Sequence, residues 1–183
     1  MSAPSKSQPG EADMAGEKFS ELQAAIRDYG QAAFQNLLKC RALGDAILRG
    51  FPDFEGCPPA CVVAVPPAGP FDPHKDYGDE AFSYHGRQVI ILEPVRFGLC
   101  LVVSNTEDAG ALWLRTVVSA EISGEAFEVF VAARPVIRVP LEYDGQLEPV
   151  FEAIHREFLE TFTLEVNDFN DARFKTGIGF MPD

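Results

Sequence analysis

The stretch "ALWLRTVVSAEISGEAFEVFVAA", residues 111–133, sets the architecture of the chain. Two runs rich in β-branched and aromatic residues flank Ser123-Gly124, the pattern of two strands joined by a tight turn. The pairing is expected to be antiparallel, since a parallel return needs a crossover of a dozen or more residues and none is present. Before this hairpin, "LCLVVSN" (99–105) reads as a strand. After it, "VIRV" (136–139) reads as another, bounded by Pro135 and Pro140. "CVVAV" (61–65) reads as a short buried strand. "AFSY" (81–84) and "RQVIIL" (87–92) flank His85-Gly86 and predict a second hairpin, connected by the link "EPVRFG" (93–98) to "LCLVVSN". A short final strand is expected around "RFKTGIGF" (173–180). The total is an antiparallel meander of about six strands.

Helical signal flanks the meander. Phe19, Leu22, Ile26 and Tyr29 recur at three- and four-residue steps, and Phe34, Leu37, Leu38, Leu43 and Ile47 roughly continue them. This predicts one amphipathic stripe from Glu17, carried by one helix or by a pair broken at Gly30, with a stop at Gly50-Phe51-Pro52. At the other end, Leu147, Val150, Phe151, Ile154, Phe158 and Phe162 lie on one helical stripe. Pro149 suits only a first turn, so that helix starts near Leu147. The fold class is therefore α+β, with an N-terminal helix or helix pair, the meander sheet, and a C-terminal amphipathic helix packed on it. The gross plan is similar to several secretion-chaperone and adaptor folds, a likeness of plan that no motif carries. Residues 1–16, rich in Ser, Pro, Ala and Gly, read as a disordered tail, and 17–183 as a single α+β domain.

Bulk numbers exclude some function classes. Of 183 residues, 28 are acidic and 15 are Lys or Arg, a net charge of −13. Phosphate backbones and anionic membranes repel such a surface, so neither nucleic acid nor membrane is an expected partner. No apolar h-region is present near the N-terminus, and the longest apolar run, 60–65, has six residues. A cytoplasmic location with reduced cysteines is the expectation. Fifteen phenylalanines against four tyrosines and one tryptophan imply a core or groove rich in rings that need no polar partner.

Candidate chemistry concentrates in "CPPACVVAVPPAGPFDPHKDYGDE", residues 57–80, which holds two of the four cysteines and six prolines. Cys57 and Cys61 are one residue too far apart for a Cys-x-x-Cys turn, and no second spaced pair supplies the other ligands of a zinc site. Cys61 and Cys100 adjoin apolar runs and read as small buried hydrophobes. His74, Asp76, Asp79 and Glu80 lack the twelve-residue order of a calcium loop. No Gly-x-Ser-x-Gly elbow is present, and the Gly-x-Gly of "TGIGF" precedes no helix. No catalytic residue, metal or cofactor is accordingly expected. His155 reads as a surface histidine.

What remains is a long loop with two aromatic anchors. Loops beyond about 12–15 residues without secondary structure are usually functional or disordered. Phe71 and Tyr77 would fix this one, with Asp72, His74, Asp76 and, from the next segment, His85 as its polar contacts. The acids of 142–171 suggest a rim that receives a basic amphipathic segment. The expectation is a small acidic accessory or adaptor protein that binds another protein through this Phe/Pro-rich loop and groove, with a homodimer allowed. The alternative is an enzyme or small-molecule-binding protein with a site near His74, Asp76, Tyr77 and His85.

Overall fold

A computed structural model describes residues 11–104, 110–163 and 177–180, with side chains described over 16–104 and 110–161. Helix α1 (Glu11–Glu55) comes first. Strands β1 (Val62–Val65), β2 (Val95–Ser104), β3 (Ala111–Ser123), β4 (Ala126–Val131) and β5 (Ile137–Pro140) follow, then helix α2 (Glu148–Thr163) and a short strand β6 (Gly177–Phe180). The fold is α+β, as expected. Five strands form an antiparallel meander in the order β1-β2-β3-β4-β5. β6 pairs with Leu112–Arg115 of β3, on the stretch before β4 takes up its pairing at Val118. Among the described residues no helix is long and apolar enough to cross a membrane.

The central hairpin closes at Gly124-Glu125, since Ser123 and Ala126 are the last paired residues. Gly124 has φ 63 and Glu125 is not left-handed, the arrangement of a type II′ turn with glycine in its first central position. One face of the sheet presents Val95, Phe97, Leu99, Leu114, Val118, Phe127, Val129 and Val139 to the helices, all buried. α2 covers part of this face with Leu147, Val150, Ile154 and Phe158, on the stripe expected for it; Phe162 lies outside the described side chains. Where the two helices meet, Phe51 lies 6.1 Å from Phe151 and 6.3 Å from Phe158, ring centre to ring centre.

α1 departs from expectation at both ends. It starts by Glu11, six residues before Glu17, while residues 1–10 lie outside the described residues. Of the two expected forms it takes the single helix, running through Gly30 without a break, because one glycine costs a helix only about 1 kcal/mol. It also carries Pro52 inside its last turn and stops only at Gly56, where Cys57 N–H closes on the Pro52 carbonyl at 3.0 Å, the long bond of a Schellman cap.

The buried stripe of α1 is Ala33, Asn36, Cys40, Leu43, Ile47 and Phe51, at steps of three and four. Phe34 and Leu38 lie off it and are exposed, a correction to the expected stripe. Traced backwards at the same steps, the stripe becomes Tyr29, Ile26, Leu22 and Phe19, and these four are 49–71% exposed. The helix has run past the edge of the sheet, and its apolar face continues into open space.

The hairpin expected about His85-Gly86 is absent. Phe82 makes one antiparallel bridge to Phe97, residues 83–86 turn, and 87–94 cross the surface without strand pairing. β2 leaves this segment only a short edge before β1 takes over at Gly98, and Phe82 and Ser83 already occupy it at Phe97 and Arg96. β2 begins at Val95, within the expected link, and is flanked by β1 on one side and β3 on the other. The apolar run "VIIL" therefore finds no ladder to join.

Candidate functional site

Three surfaces compete as sites. The first is the Pro-rich loop. After β1 the chain folds back over the sheet face that points away from the helices. Val65 pairs with Gly98 and Val63 with Cys100 on that face, yet Val65 and Cys100 are fully buried. The cover is residues 66–71. Arg115 donates from Nη1 to the Gly69 carbonyl at 2.8 Å and to the Pro66 carbonyl at 3.3 Å. The same guanidinium lies 4.6 Å over the Phe71 ring, and Phe71 stands edge-on to Trp113 at 4.7 Å. Burial pulls the Arg115 pKa below its ordinary value and pushes the Cys100 thiol up to about 12, the latter partly offset by the charge of Arg115. Gly98 makes the close approach feasible: a Cβ there would sit 2.9 Å from both the Val65 and Pro66 carbonyl oxygens.

The polar residues of the loop serve local turns. Asp72 Oδ1 accepts from the His74 N–H at 2.8 Å, and Asp76 Oδ1 from the Gly78 N–H at 3.0 Å. The Tyr77 hydroxyl accepts from the Asp72 N–H at 2.8 Å, and Lys75 lies 4.5 Å over the Tyr77 ring. Lys75 also bonds Glu80 at 3.0 Å, which lowers the pKa of that carboxyl. His74 and His85 are exposed, and no hydrogen bond among the described residues joins either imidazole to Asp72 or Asp76. Phe71 and Tyr77 are half-buried. Cys57 and Cys61 are both free and border a cleft of about 380 Å³ beside Glu55 and Leu101. Burial raises the Cys57 pKa, with the neighbouring Cys61 thiol adding to it. Among the described residues no three of His, Cys, Asp and Glu converge as metal ligands would. His155 contacts Glu55 at 2.8 Å on the outer side of α2. The acidic face of α2 is partly matched, since Arg134 binds Glu157 at 3.0 Å and Glu160 at 2.6 Å.

The second surface is a groove of about 680 Å³ on the uncovered half of the outer sheet face, floored by Val117 and Phe130 and bordered by Ser83, Arg87, Arg96 and Ser119. Arg87 is already paired with Glu93 at 2.9 Å. Two arginines together are notable in so acidic a chain.

The third surface is the apolar face of α1 with the segment beside it. Val89, Ile90, Ile91 and Leu92 are 41–68% exposed. Their backbone is nonetheless held. The Leu92 N–H donates to the Tyr29 hydroxyl at 3.0 Å, and Asn36 Nδ2 donates to the Glu93 carbonyl at 2.9 Å. A cleft of about 230 Å³ separates Asn36 and Leu37 of α1 from Tyr84 and Val89–Ile91. Tyr29 joins the two patches into one surface. Eight large apolar side chains, each about half exposed, present roughly 800 Å² together, more than the roughly 300–600 Å² of the largest patch on a typical monomer. The α1 stripe is visible in the sequence, but its phase does not say where the sheet beneath it ends. No protein-family model, curated protein or solved structure matches the chain.

Proposed function

We propose that this is a non-catalytic accessory or adaptor protein that works by holding a protein chain against the face formed by α1 and residues 89–92. One observation carries the reading: Phe19, Leu22, Ile26 and Tyr29 continue the buried stripe of α1 at unchanged spacing and are 49–71% exposed. A helical arm with almost no tertiary contact of its own is marginal in water and needs a partner for its apolar stripe. An exposed run of Val and Ile with high strand propensity is an aggregation hazard unless something covers it. In this reading the loop of Phe71 is architecture, a roof over the outer sheet face. The contact surface moves from the loop to α1.

A second reading takes the groove of Arg87 and Arg96 as the pocket of a small anionic molecule. Its support is the pair of guanidiniums and the hydroxyls of Ser83 and Ser119 around an apolar floor. Native mass spectrometry of protein purified from its own host separates the two. Protein complexes that vanish in Ile26→Glu support the first. A bound small molecule lost in Arg96→Ala, with no protein-bound species, overturns it in favour of the second.

A further inference from the structure

Resting on the reading of the α1 face as a protein-docking surface, we infer that its occupant is a second copy of this chain, paired antiparallel through α1 with the two-fold axis crossing the seam between Leu22 and Ile26, level with Ala24. Positions 19, 22, 26, 29, 33, 36, 40, 43 and 47 alternate steps of three and four without interruption. That is a seven-residue repeat, the spacing of a helix that packs along its length against another. From Ala33 onward the repeat lies on the chain's own core; Phe19, Leu22 and Ile26 are 62–71% exposed, and Tyr29, half exposed, meets the chain only beside Leu92.

The exposed part is complementary to itself. Phe19 and Tyr29 lie five residues on either side of Ala24, and Leu22 and Ile26 two on either side. An antiparallel pair centred there sets Phe19 against Tyr29 of the second copy, and Leu22 against its Ile26. A two-fold interface uses the same patch on both copies, as this one does. Gln23, Ala25, Gly30 and Ala32 flank the seam and are uncharged and mostly small, so they let the helices approach; Lys18, seven residues before Ala25, is the charge beside the seam, and antiparallel pairing sets it against Gly30 of the second copy. The antiparallel sense also accounts for the second patch. Tyr29 touches Leu92, so Phe19 of one copy arrives beside the 89–92 segment of the other. A parallel pair leaves that segment bare and crowds two bodies of net charge −13 at one end. Roughly 800 Å² per copy is what each partner brings to a standard interface.

The test uses the full chain. Sedimentation velocity from low to high micromolar concentration should give the dimer mass. Ile26→Glu and, independently, Leu92→Lys should give the monomer mass with the circular dichroism of the sheet retained, since both side chains point into open space in the single chain. Mixing Leu22→Cys with Ile26→Cys chains under mild oxidation should yield a covalent dimer through the 22–26 peptide pair, identified by mass spectrometry. Neither variant alone should form a bond through its new cysteine. A wild-type chain that stays monomeric, or a dimer indifferent to both Ile26→Glu and Leu92→Lys, overturns the second copy. So does Leu22→Cys bonding to itself, which means parallel pairing. If the isolated chain is monomeric while complexes from the host still depend on Ile26, the docking face stands and the second copy falls. If it is a dimer in isolation and only a dimer in the host, the second copy stands and the adaptor reading falls.

Discussion

Asn36 occupies a core position of α1 and gives both ends of its amide to backbone groups far away in sequence. Nδ2 donates to the Glu93 carbonyl, and Oδ1 accepts from the Ile122 N–H at 3.0 Å. A buried backbone group without a partner costs about 1–3 kcal/mol. Asn36→Ala should therefore lose about 2–4 kcal/mol in urea unfolding; a loss below about 1 kcal/mol would show that water replaces the amide. Thr116 is the opposite case. It is fully buried on β3, and its hydroxyl has no hydrogen-bond partner among the described residues. Thr116→Val keeps the shape and removes the stranded hydroxyl, so stability should rise by about 1 kcal/mol. A comparable fall would reveal a partner for the hydroxyl.

Two buried thiols carry a pH dependence at the same scale. Burial pushes Cys40 up to about 12, with the charge of Glu121 adding to the effect, and Cys100 up to about 12 as well. An unfolded chain gives up these protons near the ordinary thiol pKa of about 8.5. Between those values the folded state holds more protons than the unfolded one, so stability falls as pH rises. The slope is up to about 1.4 kcal/mol per pH unit for each thiol. Below the window the effect vanishes. Cys100→Ala should flatten the fall by about one proton's worth, read from urea unfolding across the alkaline window. An unchanged slope would mean that Cys100 already ionises in the folded protein.

Among the elements, α1 and the sheet show the same substitution acting with opposite signs. Gly30 is exposed in mid-helix with nothing near its missing side chain, whereas a Cβ at Gly98 meets the carbonyl oxygens of Val65, at the end of β1, and of Pro66, in the loop roof. Gly30→Ala should increase hydrogen-exchange protection in the α1 arm, by the ~1 kcal/mol that separates the two residues in a helix. Gly98→Ala should cost about 1–3 kcal/mol through overpacking and free the 66–71 roof to proteolysis. A tolerated Gly98→Ala would mean that the roof is not held down on the sheet. What the sequence makes legible is local. The turn at Gly124 and the phase of α2 need only neighbours, and both are readable. The failed hairpin at His85-Gly86 depended on how much edge of β2 was left to it, and β1, from elsewhere in the chain, takes that edge from Gly98 onward while Phe82 and Ser83 use the rest. Phe71 and Tyr77 are recognisable as anchors, but Trp113 and Arg115, which receive Phe71, are more than forty residues away. Their spacing on one side of a strand was the available signal. The fate of the α1 stripe was hidden for the same reason: helical period gives a face, and only the length of the sheet beneath it says how much of that face is covered.

For the molecule as a whole, net charge and shape combine into one expectation about salt. Each chain carries −13, while its surface ion pairs, such as Arg138–Glu128 at 3.0 Å, contribute little individually. Residues 16–32 of α1 reach roughly 25 Å beyond the body at 1.5 Å per residue. An antiparallel pair of such arms keeps the two bodies about that distance apart. The screening length is about 30 Å at 0.01 M salt and about 8 Å at 0.15 M. The bodies therefore repel each other at low salt and hardly interact at physiological salt, while the apolar seam between the arms is indifferent to this change. The dissociation constant of the dimer should fall as salt is raised over that range and then level off, as measured by sedimentation or fluorescence dilution. A dimer that weakens steadily with added salt would instead be held by charge pairs, and the seam of Phe19, Leu22, Ile26 and Tyr29 would not be its interface.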